Sequence, residues 1–136
     1  MKNCIFTAMR KANRVLFRRY QEALANTDTS IVQLSILRAL ERNGPMPLAR
    51  LSEDLVMERT SLYRTIEPMV NAGKINIIQS GTGKAKIAEL TAKGIATIEQ
   101  VMPYWAKAQE SIIKDSGIEE WESLRKTLQT LANLKP

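Results

Sequence analysis

A chain of 136 residues that is 44% apolar is one domain with a real core, too short for most large enzyme folds and too apolar for wholesale disorder. It holds no apolar run of membrane-spanning length and none of leader length near its start, and its one cysteine suits a reducing compartment, so it reads as cytoplasmic and not membrane-bound. The absence of histidine removes the commonest general base, metal ligand and pH switch, while the net charge of +6 lies wholly in residues 1–90, as expected of a partner for something anionic.

Residues 5–25 read as a helix, with Ile5, Ala8, Met9, Ala12, Val15, Leu16, Ala23 and Leu24 at about 3.6-residue spacing. Arg10, Arg14 and Arg18 form a row on another face, which fits solvated surface as well as contact with phosphate. Residues 26–30 are a loop rich in helix-capping side chains. Residues 31–42 read as a largely buried helix, closed by Gly44 and Pro45. Pro47 is placed to open a short helix carrying Leu48, Leu51 and Leu55. After a joint at residues 56–58 comes a helix over 59–72, with Leu62, Ile66, Met69 and Val70 on its apolar stripe. Pro68 should bend that helix, and Gly73 ends it.

The period then falls to two. Residues 75–79 and 85–90 read as strands of a hairpin whose glycine-rich tip is residues 80–84. Thr91 can cap a helix over about 92–114, with Pro103 bending it and Gly117 breaking it. A last helix carries Ile118, Trp121, Leu124, Leu128, Leu131 and Leu134. The expected fold is therefore mainly α, within the α+β class: a winged helix-turn-helix with long terminal helices. The second helix of such a pair must show small polar and basic side chains to base edges. Thr60, Ser61 and Arg64 supply them away from the apolar stripe, and Arg59 and Tyr63 stand beside them. The wing and its flanks add Lys74, Lys84 and Lys86.

Other constellations fail. Gly81–Lys84 echoes the end of a phosphate loop, but Ala85 stands where a hydroxyl is needed and Ile78 where the first glycine belongs. Trp105 and Trp121 lie on apolar stripes and read as core or dimer packing. No catalytic residue, metal or cofactor is expected.

The segments Gln33–Leu40, Leu48–Leu55, Glu58–Ile75 and Leu90–Gly94 make the chain resemble the MarR family of bacterial transcription regulators. The resemblance covers almost the whole chain. It implies a homodimer whose first and last two helices interlock, with residues 1–30 and 92–136 as dimerisation helices and 31–91 as the DNA-binding lobe. It implies binding to a pseudo-palindromic operator in double-stranded DNA, repression of transcription, and tuning by a small-molecule effector at the junction of the two parts. The wing departs from the family pattern: Thr82-Gly83-Lys84 stands where Asp-x-Arg is usual, so the tip offers a point charge with no orienting acid. Cys4 is loosely placed like the peroxide-sensing cysteine of some relatives. With only Lys2 nearby in sequence and no tyrosine partner, its expected state is passive burial in the dimer interface. The alternative function is a winged helix that docks on a partner protein or binds DNA without sequence preference.

Overall fold

A computed structural model describes residues 3–79, 81, 83 and 85–136 of the chain. Among these residues six helices and three short strands follow in the order α1 (Ile5–Ala23), α2 (Ile31–Asn43), β1 (Met46–Pro47), α3 (Leu48–Asp54), α4 (Arg59–Asn71), β2 (Ile75–Gln79), β3 (Lys86–Leu90), α5 (Ala92–Ser116) and α6 (Trp121–Ala132). No helix among the described residues is long and apolar enough to cross a membrane.

The helix boundaries follow from local chemistry. Ser30 caps α2 in a reciprocal box: its hydroxyl accepts from the Gln33 amide and the Gln33 side chain accepts from the Ser30 amide, satisfying two otherwise orphan donors. Gly44 ends α2 at φ 74°, a conformation glycine adopts without steric cost. Thr91 caps α5 by accepting from the Gly94 amide at 3.0 Å. Pro68 and Pro103 lie inside α4 and α5, which run on through them.

The sheet is antiparallel with order β1-β3-β2. In the hairpin, Ile75 faces Leu90 and Gln79 faces Lys86. Strand β1 was not legible in the sequence. Met46 and Pro47 pair with Ala88 and Ile87, and two residues cannot display a period. Pro47 therefore ends an edge strand and caps α3 rather than opening it, a position where its missing N–H costs no ladder bond.

The main core gathers Ile36, Leu37, Leu40, Leu51, Leu62, Ile66, Met69, Ile75 and Ile98, all nearly inaccessible. Each such aliphatic side chain contributes roughly 1.5–3 kcal/mol of burial free energy. A second cluster of Leu24, Leu34 and Val101 ties the end of α1 to α2 and α5. Helix α5 thus enters both clusters, through Ile98 and Val101. Helices α1 and α6 bury no residue at all. Ile5, Phe6, Val15 and Phe17 stand open along α1, so much of its apolar surface has no cover within one chain.

The α3–α4 joint holds the one positive-φ residue other than glycine among the described residues, Val56 at φ 51°. A β-branched side chain is a strained choice there, and Val56 is 73% exposed, so packing does not repay the strain. Val56→Asn is expected to stabilise the protein by about 1 kcal/mol, because asparagine tolerates this region. Urea unfolding checks this; an unchanged or lower midpoint would show that the turn is not strained.

Candidate nucleic-acid interface

Helix α4 is held by its inner face. Leu62, Ile66 and Met69 are buried, and this fixes which residues turn outward. Arg59, Thr60, Ser61, Tyr63 and Arg64 are all exposed. Among the described residues no carboxylate pairs with Arg59, Arg64 or Lys86. The cap position of α4 is Glu58, whose side chain makes no cap bond, and the first turn carries no acid. Its leading amides therefore keep their donors for an external acceptor such as phosphate. Thr65 bonds back to the Ser61 carbonyl at 2.8 Å, which leaves the Ser61 hydroxyl uninvolved in that link.

The wing is the β2–β3 hairpin. Lys86 opens β3, is exposed and faces Gln79 across the ladder. Lys84 lies outside the described residues.

Lys74 corrects the sequence reading. It reads from the sequence as a DNA contact flanking the wing, but its side chain is only 7% exposed and its Nζ sits 3.2 Å from Oδ2 of Asp28. The residue turns inward because the α4–β2 turn is pressed against the start of α5. The Lys74 carbonyl accepts from the Thr91 amide at 3.2 Å, and the Thr91 hydroxyl donates to the Gly73 carbonyl at 2.6 Å. Sequence offers no sign of this, since Asp28 is 46 positions away.

The Lys74 ammonium and the Thr29 hydroxyl, both bonded to Asp28, hold its carboxyl below the ordinary aspartate value of 3.8. A carboxyl depressed in the folded state adds stability above the unfolded value, and that stability is lost as pH falls through the folded value. The stability gap between the parent and Asp28→Asn should therefore be full at pH 6 and shrink steadily below about pH 4. Urea titrations across that range check the sign; a gap independent of pH would refute it.

Cys4 sits at the N-cap of α1 and is exposed in the single chain. Its side chain makes no formal cap bond, yet the nearby Thr7 amide and hydroxyl and the Phe6 amide favour the thiolate and hold the thiol below the ordinary value. Neither nearby cations nor tyrosine partners in the sequence point to this lowering. Helix-terminal amides act in their place.

Two recesses adjoin these helices. A cleft of about 210 Å³ lies between α2 and α5, lined by Ile31, Leu34, Arg38, Arg42, Met102 and Trp105. Within it Arg38 bonds Glu41 at 2.9 Å. A largely apolar groove of about 450 Å³ runs between α1, α5 and α6, with Val15, Leu16, Ile112, Trp121 and Leu128 among its walls. The Arg19–Asp115 ion pair and the Tyr20–Gln109 hydrogen bond tie α1 to α5 at its edge.

The same architecture occurs in solved transcription regulators. MosR of M. tuberculosis, in complex with DNA, is 26% identical over 96% of this chain and 94% of its own, with a TM-score of 0.84. BpsR of Bordetella bronchiseptica, whose DNA binding is regulated by 6-hydroxynicotinic acid, is 15% identical over 99% and 97%, at 0.86. MarR of E. coli, in its apo form, is 18% identical over 96% and 98%, at 0.77. These are MarR-family regulators, and the chain has the MarR-type winged-helix fold. No family sequence model and no curated protein matches the chain.

Proposed function

We propose that the chain is a homodimeric transcription regulator that binds a pseudo-palindromic operator in double-stranded DNA and represses transcription. The observation that carries this reading is the outer face of α4. It is polar and basic, unpaired among the described residues, and held outward by a fully buried opposite face. A surface meant for a partner protein would carry an apolar centre instead. The likeness to DNA-bound MosR supports the reading. In this reading Thr60, Ser61, Tyr63 and Arg64 meet base edges in the major groove, while Arg59 and Lys86 meet the sugar-phosphate backbone. Lys84 joins them by its place in the wing.

The division proposed is a DNA-binding lobe of residues 31–91 between dimerisation helices in 1–30 and 92–136. The open stripes of α1 and α6 support it, because obligate dimer interfaces are large and apolar. A small organic effector in the α2–α5 cleft would bias the spacing of the two lobes, in keeping with the effector-regulated BpsR.

Selection of bound duplexes from a random pool tests the reading. An enriched inverted repeat is expected. Retention of duplexes without any shared sequence would overturn operator recognition and favour an architectural role.

A further inference from the structure

We infer that the ion pair between the enclosed Lys74 and the exposed Asp28 is a positioning device: it pins the end of the recognition helix α4 to the α1–α2 loop and thereby sets the separation of the two DNA half-sites that the dimer accepts. The inference rests on the DNA-binding reading above.

Lys74 joins three segments that are distant in sequence. Its amide donates to the Met69 carbonyl in the last turn of α4, and its carbonyl accepts from Thr91 ahead of α5. Its ammonium reaches Asp28 in the loop after α1. That loop is itself fixed. Thr27 bonds the Leu24 carbonyl at 2.7 Å, and the Gln21 side chain accepts from the Ile31 amide at 2.6 Å. The Thr29 hydroxyl donates to Oδ1 of Asp28 at 3.1 Å, leaving Oδ2 for Lys74. The carboxylate is therefore aimed before the lysine arrives.

The energetics point to geometry rather than to stability. Desolvating an ammonium is costly, and a single carboxylate that is 75% exposed returns little of that cost. A methionine or leucine of similar volume would pack at least as well. What an apolar side chain lacks is direction: it tolerates sliding, whereas a charge with one partner at 3.2 Å does not. The pinned element is the helix that reads DNA, and the loop it is pinned to leads out of α1, on the proposed dimer side. One inserted base pair moves a half-site by about 3.4 Å and turns it by roughly 35°. With that contact gone, the end of α4 could shift against the α1–α2 loop and absorb such changes.

The test measures affinity for duplexes whose inverted half-sites, taken from the selected operator, are separated by zero to four added base pairs. The variants are Lys74→Met, Asp28→Ala and the parent, each checked for dimer mass and melting temperature. The parent should lose at least about tenfold per added base pair, and each variant less than about threefold. A variant that keeps the parental profile, or that weakens every spacing by one common factor, overturns the inference. Should Lys74→Met fail to fold, Asp28→Ala decides, because Asp28 is exposed and its loss leaves no core void. A parent that binds no duplex, or binds all spacings alike, defeats the operator reading instead. The pin is then judged by spin labels in the free protein, at Glu22→Cys and Glu67→Cys in a Cys4→Ser background diluted with unlabelled chain. A broader intrachain distance distribution in Lys74→Met supports the pin, and an unchanged one refutes it.

Discussion

Gly94→Ala is expected to destabilise the protein by about 2 kcal/mol, although it places a better helix former inside α5. The substitution alone should favour the helix by about 1 kcal/mol. Against this, a Cβ at position 94 would lie closer than 3.0 Å to the Lys74 carbonyl oxygen and 3.1 Å from Cδ2 of Leu90. The first obstacle is backbone and cannot rotate aside. That carbonyl also accepts the Thr91 amide, so pushing it away breaks the tether between the α4–β2 turn and α5. Overpacking with backbone displacement costs about 1–3 kcal/mol and sometimes more. Urea unfolding of the variant beside Gly81→Ala, where a Cβ meets nothing within 4 Å, isolates the effect. A Gly94→Ala midpoint equal to or above the parent's would show that α5 shifts freely and that the close approach is not a constraint. The Leu-Thr-Ala-Lys-Gly run that carries part of the family resemblance thus has a physical content: a capping threonine, then a residue with no side chain where two backbones touch.

Arg64→Ala is expected to weaken binding to the selected operator by about 1–3 kcal/mol, roughly ten- to a hundredfold, with little change on random duplex. Arg64 stands on the outer face of α4 between the buried Leu62 and Ile66, and no carboxylate among the described residues holds its guanidinium. A planar fork on a rigid helix suits the two acceptors of a guanine edge. Affinity measured against salt separates the roles. A base contact leaves the salt slope of the variant close to the parent's, whereas each lost phosphate contact lowers it by about 0.9. Equal losses on operator and random duplex, with a lower slope, would reassign Arg64 to the backbone.

The order of elements, the helix ends at Ser30, Gly44 and Thr91, and the polar outer face of α4 were all readable in the sequence. Each rests on interactions between residues within a few positions of one another: an i to i+3 cap, a left-handed glycine, a 3.6-residue apolar period. What depended on distant pairings was invisible. Strand β1 exists because Met46 and Pro47 find Ala88 and Ile87, not because two residues have any strand character. Lys74 looked like one more surface cation of a basic lobe and proved to be an interior one. Only the folded chain brings Asp28 to its ammonium and sets its carbonyl against the start of α5. Cys4 was weighed by its charged neighbours in sequence, while its environment is set by the amides of the helix it caps. Local stereochemistry wrote the elements and the polar outer face of α4. The packing of segments dozens of residues apart decided which charges remain on that face and which are enclosed, because burial belongs to the assembled core rather than to any stretch of chain.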